Sequence, residues 1–161
     1  DLGVDAFSES WRICYSTARD GVSAATFHQN CDNQGPSVTV ARLSTGRLIG
    51  GYNSASWQSD SSSPRNDENF LFSLTNNHKH NNPGQHADIG YTYNGPSYGP
   101  TWGGGHDWLS FRNQDNTAGY CNLGHNFACR VGNYGSAECQ NDFCGSYDGW
   151  TLEALEVYVA R

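Results

Sequence analysis

The apolar runs of this sequence are short, and two long stretches rich in turn-forming residues, 76–105 and 113–148, hold them apart. With 19 glycines and sixteen asparagines, the chain favours tight turns and shaped loops over long helices. What remains between the loops has the period of strands. Trp11–Ser16 alternates large and polar residues, as a half-buried strand does. Asp20-Gly21 marks a turn. Ser37–Leu43 and Arg47–Tyr52 read as a hairpin about Ser44-Thr45-Gly46. Asp60–Asn66 is a polar loop, Phe70–Leu74 an apolar strand expected at the centre of a sheet, and Trp108–Phe111 a short strand. Trp150–Val159 closes the chain as a last strand. Only Ser23–Cys31 reads as a helix: Ser23 caps it, Ala24, Phe27, His28 and Cys31 recur at helical spacing, and 32–36 breaks it. The expected fold is mainly β, a two-sheet antiparallel sandwich with one or two short helices and long loops, built as one domain over residues 1–161. Trp11, Ile13, Phe70, Phe72, Leu155 and Val157 are the expected core. Aromatic residues make up 13% of the chain, which keeps it out of the disordered class although mean hydropathy is −0.69.

The formal charge is −7, Lys79 is the sole lysine and there is no basic cluster, so nucleic acid and anionic membrane surfaces are not expected partners. No run is long enough to span a bilayer. The chain begins Asp1-Leu2-Gly3 and holds no methionine, which reads as a mature N-terminus after processing. Six cysteines, at 14, 31, 121, 129, 139 and 144, favour an oxidising compartment and a secreted protein. Local closure of Cys121 with Cys129 and of Cys139 with Cys144 is the simplest pairing; a bridge between two chains stays open.

Taken in order, several segments resemble the TLDc domain family. They are WRICYSTARDG at 11–21, TFHQNCD at 26–32, Gly35-Pro36-Ser37 with the β run behind it, and Gly50-Gly51-Tyr52 with Trp57. FLFSL at 70–74, GPTWGGGHD at 99–107 and FCGSYDGWTLEALEVY at 143–158 complete the set. The resemblance covers nearly the whole chain. It implies a sandwich of two antiparallel sheets flanked by short helices, and it hands over no catalytic residues. Many members of that family are intracellular, associated with oxidative-stress resistance and with the vacuolar proton pump. The added cysteines at 121–144 and the processed look set this chain apart, toward an invertebrate lectin or defence protein on the same fold.

The remaining constellations point away from an enzyme. The histidines of 78–86 fit no tetrahedral zinc spacing. Gly103–Asp107 follows no strong strand, so it reads as a turn needing positive φ and not as a phosphate loop. No nucleophile elbow and no Cys-x-x-Cys pair occurs. The segment 113–148 instead combines oxygen ligands, aromatic residues and four cysteines. Glu138, Asp142, Asn141, Asp115 and Asp148 are the candidate calcium ligands, since that ion gathers six to eight oxygens. Tyr134 and Trp102 are the candidate stacking surfaces for a sugar, with His125, Arg130 and Asn141 as hydrogen-bond partners. The expectation is a secreted, calcium-assisted lectin for galactose-type glycans on cell surfaces, made multivalent as a homodimer. The alternative is a TLDc-type protein-interaction module, linked to oxidative stress or innate defence, without a sugar ligand.

Overall fold

The computed structural model describes residues 10–84 and 90–161. The strands are β1 (Trp11–Ser16), β2 (Ser37–Leu43), β3 (Leu48–Asn53), β4 (Phe70–Ser73), β5 (His78–His80), β6 (Thr101–Trp102), β7 (Trp108–Leu109) and β8 (Leu152–Ala160). The helices are α1 (Thr17–Asp20), α2 (Ala24–Cys31) and α3 (Ala137–Cys144). Two antiparallel sheets form: six strands in the order β1-β8-β2-β3-β4-β5, and the pair β6-β7. The fold is therefore mainly β, with three helices where one or two were expected. Ser23 caps α2 by accepting the Thr26 amide at 3.2 Å, as its place in the sequence implies.

The last strand to be made lies inside the sheet. β8 runs between β1 and β2 and pairs with both along most of its length. Phe70–Ser73 is second from the edge, so its expected central position is corrected. Inward-facing Leu71, Ile49, Ala41, Leu43, Leu155, Val157 and Val159 form one wall of the core. Trp57, Trp102, Trp108 and Trp150 form the other, and Trp102 lies flat on Trp108 at 5.1 Å.

Four of the six expected core residues point the other way. Leu155 and Val157 are buried, but Ile13 is 37% exposed and Trp11, Phe70 and Phe72 are only partly covered. In FLFS one face carries Phe70 and Phe72 and the other Leu71 and Ser73, so alternation favours the phenylalanine face, yet Leu71 and Ser73 turn inward. A register shift between Ile13 and Tyr15 likewise turns Cys14 and Tyr15 inward in sequence.

The disulfides are Cys14–Cys31, Cys121–Cys144 and Cys129–Cys139. Two bridges in 121–144 were expected, but not with these partners. Cys139 and Cys144 lie five residues apart on α3, so their side chains diverge by about 140° at about 100° per residue, and each must look outside the helix for a partner. All six cysteines are spent within the chain, which leaves no thiol for a bridge between chains. No helix among the described residues is long and apolar enough to cross a membrane.

Candidate functional site

The turn Gly103–Asp107 organises the loops that cover the sheet. Gly103, Gly105 and His106 have φ of +84°, +78° and +53°, so the positive φ expected of this turn is present. Gly103 has a second reason to lack a side chain: a Cβ there would lie 1.9 Å from the Asp107 carboxylate. Asp107 is fully buried and accepts the main-chain N–H groups of Gly124, Asn126 and Phe127, each at 3.0–3.1 Å. Burial pushes its carboxyl up to about 7, while those donors pull it back. One side chain thus fastens the segment 124–127 to the turn. The Gly104 amide, donating to the Asn126 side chain at 2.6 Å, closes the same junction.

This junction holds His106 in a left-handed conformation that costs a residue with a side chain of order 1–3 kcal/mol. Around its imidazole stand Tyr93 and Tyr98, each with ring centroid at 5.6 Å, and Tyr120 at 5.9 Å. Tyr93 meets Tyr98 edge-on at 4.9 Å, and Tyr120 stacks on Tyr147 at 5.5 Å. The Arg112 guanidinium lies 4.8 Å from the Tyr98 ring centroid. Tyr147 is 41% exposed and the other rings are partly exposed, so the five form a surface. Burial holds the His106 ring below its usual range and pushes the Tyr120 phenol up, so near neutral pH both are uncharged. Flat rings with polar rims and one fixed cation are suited to recognition, by stacking and directed hydrogen bonds.

Helix α2 supports the same surface from behind. His28, buried, has Nδ1 at 2.7 Å from the Asp32 carboxylate and Nε2 at 3.0 Å from both the Gly95 and the Tyr98 carbonyls. Ser59 donates to the other Asp32 oxygen at 2.6 Å. The serine hydroxyl is on the carboxylate and not on the ring, and the ring is turned to main-chain oxygens. This trio positions the Tyr98 loop; it is not arranged to activate a nucleophile.

The residues expected to bind calcium and sugar serve varied roles. Trp102 is fully buried on Trp108 and donates to the Tyr52 carbonyl at 3.2 Å, so it presents no face to a ligand and its expected role as a sugar platform is corrected. Asp142 is held by Arg130 through both carboxylate oxygens. Asp115 accepts the amide and hydroxyl of Thr117 within its own turn. The Asn141 carbonyl accepts Arg47 at 3.0 Å. Glu138 lies in the first turn of α3, and Asp148 is exposed in the turn before Trp150. Tyr134 and His125 do come together, edge to face at 5.3 Å. The described residues include no group of three or more His, Cys, Asp or Glu side chains placed to share an ion. His78 and His80 are adjacent at 4.7 Å, while His86 lies outside the described residues. Sequence reasoning passed over Tyr93, Tyr98, Arg112 and Tyr147 because they come from three segments far apart in the chain with no common period. The signal was there in YTYNGPSYGP at 91–100, three tyrosines among turn residues.

Loops over the six-stranded sheet thus carry an aromatic surface whose turn is fastened by a buried carboxylate. The chain belongs to the TLDc domain family, whose model matches residues 5–160. It is also 30% identical over 70 residues to the MTOR-associated protein MEAK7 of Danio rerio. That match takes in 44% of this chain and 16% of the length of the zebrafish protein.

Proposed function

We propose that this TLDc domain is a protein-recognition module and that the tyrosine surface around His106 is where it meets its partner. The observation that carries the reading is the array itself: four tyrosines, one strained histidine and Arg112, held from behind by Asp107 and His28. Tyrosine and arginine are the residues that dominate binding energy where proteins meet, and pre-positioned rings lose little freedom on binding. A relative named for its association with MTOR is in keeping with recognition of protein. Three disulfides suit a setting outside the reducing cytosol, such as secretion for a defence role. The test compares proteins retained by the wild-type chain with those retained by Tyr98→Ala/Tyr120→Ala, with near-ultraviolet dichroism as the control for folding. The reading predicts that specific retention is lost in the double variant. Unchanged retention by a folded double variant would overturn it.

The second reading is the calcium-assisted lectin for galactose-type glycans. Its support is the Tyr134–His125 pair, held beside the Cys129–Cys139 bridge. A glycan array run with calcium and with chelator tests it. Binding that chelator removes, and that Glu138→Gln weakens, would favour this reading over the first.

A further inference from the structure

The outer face of the six-stranded sheet repeats one pattern in cross-strand rows. Strand register places Ile13, Tyr158, Val38, Tyr52 and Phe70 in one row across five strands. The next row is Glu156, Val40, Gly50, Phe72 and Lys79. A third holds Ala154, Arg42 and Leu48. The apolar side chains of these rows all keep some exposure. The rings lie low: Tyr52 stacks on Phe70 at 5.3 Å, and the Phe72 ring reaches over Gly50, where a Cβ would lie 2.3 Å from it. A contiguous, partly exposed aromatic sheet face of this kind marks an interaction site.

The middle row also carries its own charge complement. It begins at Glu156 and ends at Lys79, the only lysine in the chain. Gly50 lies two strands from each of them in the sheet order. A two-fold axis parallel to the strands and passing over Gly50 therefore sets Glu156 of one copy on Lys79 of the other. It also sets Val40 on Phe72 in both directions, and in the next row Val38 on Phe70. This is the self-complementarity that an isologous dimer requires. Lys79 is already poised over the outer face, with its ammonium 4.2 Å from the Phe70 ring centroid. Glu156 accepts the Tyr158 hydroxyl at 2.5 Å on the same face. The remaining cation of the rows, Arg42, is satisfied within the chain by Glu153 at 3.2 Å.

We propose that the outer sheet face is a homodimer interface, two copies stacking their six-stranded sheets about a two-fold axis over Gly50, with Glu156 against the partner's Lys79. The thirteen positions of these rows, about 4.8 Å apart across strands and about 6.8 Å apart along them, cover roughly 420 Å² on each copy, or about 850 Å² in all. That lies in the range of weak, transient interfaces, so the dimer is reversible and its formation depends on concentration.

Sedimentation equilibrium of the whole chain, from about 1 to about 500 μM, tests this. The wild type follows a monomer–dimer equilibrium within that range. Lys79→Glu and Glu156→Lys, each of which sets like charges face to face, raise Kd by at least about tenfold. The double charge swap restores the wild-type constant. A monomer throughout the range would overturn the proposal. A dimer indifferent to both single variants would overturn it too, since such a dimer uses another face.

Discussion

The sheet and the loop layer that covers it are held together in different ways. In the sheet, β8 and β2 each pair with two neighbours along most of their length, and any one contact is backed by others along the same ladder. In the layer between residues 90 and 150, regular pairing is confined to β6 with β7 and a few isolated bridges. There the chain is fastened at points: the Asp107 carboxylate, two disulfides and the stacked pair Trp102–Trp108. Stability is distributed in the first region and concentrated in the second. The tyrosine surface belongs to the second, so its geometry depends on few side chains.

The contrast predicts the largest loss at a polar residue of the loops. Asp107→Ala leaves three buried amides without an acceptor, at about 1–3 kcal/mol each, so stability to urea falls by about 5 kcal/mol. A loss below about 2 kcal/mol would mean that the layer is held elsewhere. In the sheet, Leu71→Ala costs about 3 kcal/mol, within the range for an emptied core site. Its neighbour Phe72→Ala, on the outer face, costs only about 1 kcal/mol. Equal losses at 71 and 72 would mean that the register of β4 is wrong.

That pair of variants also shows where sequence reading stopped. The strands at 11–16, 37–43 and 70–73 and the cap at Ser23 were legible, because alternation and capping are local. The inward face of FLFS was not, because its more apolar face, Phe70 and Phe72, turns outward and only the rest of the sheet decides between the two. Helix α3 left a signal that was missed. Ser136 caps it and Gly145 follows it in the left-handed region, but AECQNDFC is too polar to look periodic. Density of oxygen ligands pointed to 113–148, yet Asp142 is taken by Arg130 and Asp115 by Thr117, partnerships that only the folded chain reveals. The tyrosine surface draws on residues from 93 to 147, and its strained member could be foreseen only as part of a glycine-rich turn.

Histidine at the sheet edge supplies a pH test. His80 is fully buried, donates from Nδ1 to the Ala128 carbonyl at 2.8 Å, and is lowered by burial to about 4. A depressed histidine contributes stability above its unfolded value of 6.5 and loses it as pH falls through about 4. Asp107 works in the opposite sense, since a raised carboxyl loses its contribution as pH rises through about 7. Comparing the wild type with His80→Asn, whose amide takes the place of Nδ1, cancels the Asp107 part. Between pH 7 and pH 4 the wild type loses about 3 kcal/mol more than the variant. Parallel profiles would show that His80 is not buried as a neutral ring.

A small effect on stability is also expected at the surface itself. Tyr98→Ala removes ring contacts with Tyr93, His106 and Arg112 and costs below about 1.5 kcal/mol, while partner binding is lost. A large loss of stability at Tyr98 would place it with the anchors and not with the recognition surface.

Amide hydrogen exchange on Asp107→Ala tests most directly the claim that the buried carboxylate fastens the loop layer independently of the sheet. The account predicts faster exchange at Gly124, Asn126 and Phe127 and across the tyrosine loops, with β2, β3 and β8 protected as in the wild type. Uniform loss of protection in sheet and loops together, or none at 124–127, would contradict it.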